Sequence, residues 1–340
     1  MKNLAKFFFV LAAMTLVLGF GTNASAQPVH AQPSSALFFP VFDSGTNTDT
    51  LITVTNINSS LISCGNSFRQ GDINLHYVYY NSEDCNEFDR TESLTPGDTL
   101  TILASAHNPE TEEGFLWIEA QDPETGEAVV YNYLIGSAHI VKTAGGGADG
   151  DFLWAYTPYG FRSTVNTGST VTCGYYETDV DGDSRADFNG VEYDFFPDEL
   201  YLDLFFAEDG AALDLDNRLY LMVADRTSTD TTLLAWDNNE NRFSVGTEFD
   251  CWFGDALQAI SLLFLEENMD DDAVAELTLG GGSVIYTGWL HIIPETSPML
   301  GAFYSVKQDT DLGAGRELQY RGTWDADNDG VGDGIEFPRF

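Results

Sequence analysis

The chain has 340 residues, 43% of them hydrophobic and 13% aromatic, with 54 acidic residues against 14 Lys and Arg and a formal charge of −40. That charge excludes nucleic acid and anionic membranes as partners. The apolar content is enough to fill a core, which excludes a disordered chain, and the length favours two domains over one.

Residues 1–26 read as a secretory signal peptide. Lys2 and Lys6 form a basic start, 7–20 is an apolar stretch, and Ala24-Ser25-Ala26 fits the small-residue cleavage rule. The apolar stretch is short for a membrane span and no later one is long enough, so membrane insertion is not expected. Cleavage there removes two lysines and no acid, moving the charge from −40 to −42.

Strand signals follow at 37–42, 51–57, 73–80, 99–104, 114–120 and 128–135, separated by turn clusters such as Asp43-Ser44-Gly45 and Pro96-Gly97-Asp98. In 51–56, threonines alternate with apolar residues, the pattern of a strand with one face in a core. Short strands at this spacing predict an all-β fold of β-sandwich type.

The pattern then echoes itself in order. Leu37-Phe38-Phe39 returns as Leu204-Phe205-Phe206, and the strand from Leu51 as the one from Leu219. Val78-Tyr79-Tyr80-Asn81 returns as Ala235-Trp236-Asp237-Asn238, Gly97-Asp98 as Gly254-Asp255, and Gly114-Phe115-Leu116 as Gly288-Trp289-Leu290. Two tandem, duplicated sandwiches are therefore expected, at 35–142 and 151–312. The second would have its core at 200–312, with 151–199 as its decorated lead-in and the Gly-rich stretch 143–150 as the boundary. Asp270-Asp271-Asp272 could cap a short helix over 273–277, although 277–279 reads equally well as a strand.

Four cysteines, Cys64, Cys85, Cys173 and Cys251, in an exported chain favour two disulfides. Three connectivities are possible. The local pair Cys64–Cys85 is the expectation, leaving Cys173–Cys251. No C-x-x-C pair supports zinc.

The densest chemistry lies in two Asp-rich segments. Asp325, Asp327, Asp329, Gly330, Asp333 and Glu336 occupy positions 1, 3, 5, 6, 9 and 12 of a calcium loop, with the Val331 carbonyl available at position 7. Calcium takes six to eight oxygens, and carboxylates two residues apart can wrap one ion. Asp179, Asp181, Asp183 and Asp187 repeat the 1-3-5-9 spacing. There Ser184 replaces the turn glycine, Gly190 stands where the closing glutamate belongs, and Glu192 or Asp194 is the candidate substitute. The C-terminal segment resembles EF-hand loops and, more closely, the loops of thrombospondin type-3-like repeats. That resemblance covers about a dozen residues and implies Ca²⁺ binding alone. A strand-like 320–324 precedes the loop and only 337–340 follows it, so the helix pair of an EF-hand switch is not expected.

No nucleophile elbow, H-E-x-x-H helix, phosphate loop or dinucleotide fingerprint occurs. Paired carboxylates for glycoside hydrolysis discriminate nothing among 54 acids. His76 and His291 sit in strand patterns, where a structural role is expected. Trp236 and Trp252, near turns, are candidates for a sugar platform, whereas Trp117 and Trp289 read as core. The expected function is that of a secreted, calcium-binding, non-catalytic structural or adhesion protein. Its partners would be polysaccharide or other cell-surface components. A calcium-dependent carbohydrate-binding module and a polysaccharide-acting enzyme are the alternatives.

Overall fold

The structure, a computed structural model, describes residues 32–64, 68–143, 152–207, 215–237, 240–265, 269, 286–307, 312–327 and 329–339. The fold is all-β. The first group of strands comprises β1 (Ala36–Asp43), β2 (Thr48–Asn56), β3 (Ser63–Cys64), β4 (Phe68–Arg69), β5 (Ile73–Asn81), β6 (Glu87–Leu94), β7 (Thr99–Leu103), β8 (Glu113–Gln121), β9 (Leu134–Lys142), β10 (Phe152–Tyr156) and β11 (Tyr159–Phe161). After β12 (Arg185–Asp187) come β13 (Glu199–Phe206), β14 (Leu215–Val223), β15 (Ser228–Asp237), β16 (Arg242–Asp250), β17 (Trp252–Ala256), β18 (Thr287–Pro294), β19 (Met299–Lys307), β20 (Leu312–Glu317), β21 (Gln319–Arg321) and β22 (Glu336–Pro338).

The first sandwich sets a five-stranded sheet, β11-β1-β8-β5-β6, against a four-stranded one, β10-β9-β2-β7. The second sets β16-β15-β18-β13-β21 against β17-β14-β19-β20. Read in reverse, the second pair of orders matches the first strand for strand, from β13 on β1 through β21 on β11. A short helix follows the last strand of each four-stranded hairpin, at Ala104–His107 and at Leu257–Ile260. Both first strands also carry a bulge, between Phe39 and Phe42 and between Leu202 and Phe205.

Alternation explains the strands. In β2, Thr53 and Thr55 face out while Ile52 and Val54 enter the core. The five echoes picked equivalent strands, but mostly in a shifted register. Phe42 faces Gly114 as Phe205 faces Gly288, so Phe205 corresponds to Phe42 and not to Phe38. Likewise Asn81 faces Gly114 as Asp237, not Asn238, faces Gly288. Only the Gly114–Gly288 echo holds its register. Apolar strands resemble one another at any even shift, and a one-residue slip inverts the buried face.

Three boundaries move. β10 and β11 follow the Gly-rich stretch yet pair with β9 and β1, so they complete the first sandwich. β20 and β21 carry the second to 321, past the expected end at 312. The expected strand at 128–135 is replaced by β9, which begins at Leu134. The signal peptide, the residues 144–150 of the expected linker and the candidate helix at 273–277 lie outside the described residues.

The expected lead-in to the second sandwich belongs instead to the first. Residues 162–198, with 322–327 and 329–339, form a third layer on the outer face of its five-stranded sheet. Phe188, Phe196 and Phe337 pack edge-on around Phe38, with ring centroids 5.5–5.6 Å away. Phe38, Tyr80, Phe115 and Trp117 are buried there, so this sheet is apolar on both sides and reads as continuous apolar runs.

The outer face of the second four-stranded sheet packs against the first sandwich. Trp154 of β10 stacks on Tyr220, and its ring lies where a Cβ on Gly315 would stand, 2.1 Å from Cε3. The Trp252 indole donates to the Pro40 carbonyl at 2.9 Å, and Tyr159 donates to Gly301 and Leu318. Trp252 is thus part of an internal seam and no sugar platform. Two disulfides cross these layers, Cys64–Cys173 and Cys85–Cys251. The expected local pairing is corrected. Cys64 and Cys85 lie 21 residues apart, but Cys85 meets Cys251 at the seam of the sandwiches, while Cys64 holds the start of the third layer.

Candidate metal-binding loops

Both Asp-rich segments lie in the third layer, side by side. They share the hydrogen bonds from position 6 to position 1 and from position 7 to position 5. In the inner loop, Asp179 accepts the amides of Gly182 at 2.7 Å and Ser184 at 3.0 Å, and Asp183 accepts that of Arg185. In the C-terminal loop, Asp325 accepts the amides of Asp329 at 3.1 Å and Gly330 at 2.7 Å, and Asp329 accepts that of Val331. Position 6 is left-handed in both, with φ of 63° at Ser184 and 85° at Gly330. Serine therefore takes the conformation that glycine adopts without steric cost.

In the C-terminal loop, Asp325, Asp327 and Asp333 bring carboxylate oxygens within 4.8 Å of one another. Asp333 also ties the loop shut by accepting the Ala326 amide at 2.7 Å. Asp329 and Val331 remain in the loop but outside that trio. The inner loop has two such trios, Asp179-Asp181-Asp183 and Asp183-Asp187-Glu336.

Glu336 is therefore displaced from its expected role. At position 12 it was to close its own loop, but β22 runs antiparallel to β12 and sets Glu336 opposite Asp187. Glu336 also meets Arg185 at 2.6 Å. Of the two substitutes, Glu192 reaches the inner loop, accepting the Val180 and Asp187 amides at 2.6 and 3.3 Å. Asp194 turns away to the Arg162 amide.

Electrostatics follow from crowding. Burial pushes the Glu192 carboxyl up to about 7, against its two amide donors and Arg339. Asp187 is raised by burial and then by Asp183, Asp181 and Glu336. Its Oδ1 is buried without a hydrogen-bond partner. A divalent cation would offset this repulsion and supply the missing partner.

Arg339 was not singled out from sequence. Its Nε meets Glu119 of β8 at 3.1 Å, its Nη2 donates to Thr178 at 2.8 Å, and Asp179 and Glu192 each stand 3.8 Å away. Glu119 also accepts a hydrogen bond from Tyr193 at 2.5 Å. One arginine thus joins sheet, inner loop and C-terminal strand. The available signal was a lone basic residue in an acidic tail. His76 and His291 occupy strands as expected, each beside a carboxylate, Asp89 at 3.2 Å and Glu199 at 3.4 Å. Among the described residues no helix is long and apolar enough to cross a membrane.

No protein-family model matches the chain, and no curated protein does. Among solved structures, one titled "Crystal Structure of Thermotoga maritima 1070" is similar over 37% of this chain and 94% of that chain. The identity is 10% and the TM-score 0.27, too low to carry an argument.

Proposed function

We propose that this is an exported, calcium-ordered structural or adhesion protein of the cell surface or extracellular matrix. The observation that supports this reading is the hydrogen bonding that the two loops share. Each has an aspartate at position 1 holding a left-handed residue at position 6, with three carboxylates converging. In this reading calcium neutralises carboxylates that otherwise repel in a chain of charge −40. It thereby fastens the third layer to the first sandwich. The equal strand order of the sandwiches fits a duplicated sequence. Polysaccharide or other cell-surface components remain the proposed partners.

Calorimetric titration of calcium into the chelator-treated protein tests the reading. Two sites are expected, one lost in Asp179→Ala/Asp183→Ala and the other in Asp325→Ala/Asp329→Ala. Binding to the folded state alone adds RT ln(1 + [L]/Kd), about 2.7 kcal/mol at a hundredfold excess over Kd. Equal uptake by all three proteins would overturn it.

A further inference from the structure

We propose that the outer face of the second five-stranded sheet is a docking surface for a polypeptide segment that carries an aromatic side chain beside acidic ones. The proposal does not depend on calcium.

The two sandwiches provide an internal comparison. The registers that equate Gly114 with Gly288 also equate the pair Tyr80/Phe115 with Trp236/Trp289. Both pairs stack, at 4.6 Å and 16° in the first sandwich and at 3.9 Å and 0° in the second. A second stacked pair is also shared, Phe38/Trp117 against Tyr201/His291. In the first sandwich these rings are buried beneath the chain's own third layer. There Phe337 meets Tyr80 edge-on at 5.6 Å and Trp117 at 5.1 Å. In the second sandwich the counterparts are less fully covered: Trp289 is 37% exposed, while Trp236, Tyr201 and His291 are half-buried. One face is thus seen with a polypeptide seated on it, and its counterpart with Trp289 exposed and its neighbouring rings partly so. Exposed tryptophan, tyrosine and arginine are the residues that dominate protein interfaces.

Charge specifies the occupant. The segment covering the first sandwich brings Arg339 to Glu119. On the second face the signs change. Arg242 stands where the first sandwich has Glu87, over the Trp236 ring at 5.9 Å, and Arg321 stands where it has Phe161. The nearest carboxylates of the face are already engaged: Glu199 accepts the Tyr201 hydroxyl, Asp203 pairs with Arg316 and Glu295 accepts the Thr232 hydroxyl, while Asp230, Glu248 and Asp250 lie toward the end of the sheet away from Trp236. In a chain with 14 basic residues against 54 acids, two arginines flanking one aromatic patch favour acidic side chains in the partner.

The test pans a displayed random-peptide library on the full-length protein, with depletion on Trp289→Ala, and measures the selected peptides by fluorescence anisotropy. The expected peptides pair an aromatic residue with Asp or Glu. Their affinity should fall about tenfold or more in Trp289→Ala. In Arg242→Glu, an exposed position, the library should yield basic in place of acidic neighbours. Melting curves equal to wild type show that both variants fold. The proposal is overturned if no peptide is enriched, if the selected peptides lack an aromatic, or if they bind both variants as they bind wild type. Oligosaccharide binding at these tryptophans, or self-association abolished by Trp289→Ala, would also overturn it in favour of a glycan or a second copy.

Discussion

Arg185 and Glu336, 151 residues apart in sequence, form an ion pair at 2.6 Å across the β12–β22 ladder. Both side chains are about half exposed, so the pair itself stabilises by no more than about 1 kcal/mol. Its interest is competitive. The guanidinium holds the carboxylate that the inner loop would offer a cation.

Glu336→Gln should therefore weaken calcium binding at the inner loop by about tenfold, the scale on which ligand charge tunes such sites. The C-terminal loop, whose sequence contains residue 336, should be unaffected. Arg185→Ala should strengthen inner-loop binding by no more than about fivefold, matching the small worth of an exposed pair. Calorimetry on both variants checks this. A loss confined to the C-terminal loop would return Glu336 to its own loop.

Cys85–Cys251 spans 166 residues and joins the two sandwiches. Cys85→Ser/Cys251→Ser should cost about 2–5 kcal/mol. Because the link crosses a seam, the loss should appear as a second transition in denaturant melts, not only as a lower midpoint. A single, unshifted transition would show that the seam holds without it.

Gly114 has a φ of 152°, and a Cβ there would lie 1.8 Å from the Tyr80 carbonyl oxygen. At the equivalent Gly288 it would lie 2.4 Å from that of Trp236. Alanine at either should destabilise by about 1–3 kcal/mol through backbone displacement. Gly97→Ala meets no atom within 4 Å, but its φ of 78° still disfavours a side chain. It should cost about 1 kcal/mol. Thermal melts of the three variants rank these effects.

Burial raises the Asp194 carboxyl to about 6 from its ordinary 3.8, against the Arg162 amide and charge. The folded state then holds more protons than the unfolded between pH 4 and 6. Its stabilising share is full below pH 4 and is lost as pH rises through 6. Asp194→Asn should flatten stability across that window and melt higher than wild type at pH 7, with chelator present. A variant whose pH profile parallels wild type would show that Asp194 carries none of this dependence.

Much of the fold was legible because sandwich strands alternate, as in β2, or run apolar, as in β1. β6 escaped notice because Glu-Phe-Asp-Arg-Thr-Glu-Ser-Leu lies at a sheet edge with half its residues exposed and one buried, so no burial pattern marks it. The aspartate spacing located both loops, since their Asp-amide bonds are local in sequence. That Glu336 stands beside the inner loop was not legible, for the opposite reason. Its partner Asp187 is brought in by a pairing between distant strands, and spacing carries no trace of it. The cystine partners failed likewise, because both bonds join layers whose packing no local pattern encodes. Trp289 read as core because its strand echoes the strand that holds Trp117. The difference lies in what covers each sheet.

Phe38 and Phe337 touch at 5.5 Å, one in the first and the other in the last strand of the described residues. A pull applied on either flank therefore meets at one sheet. The load runs from β1 through the third layer to β22, and the second sandwich lies beside this path, with β13 and β21 paired at its neck. Tension would shear the first sandwich and its Asp loops first, and would reach the second sandwich and Trp289 through the seam and the Cys85–Cys251 bond.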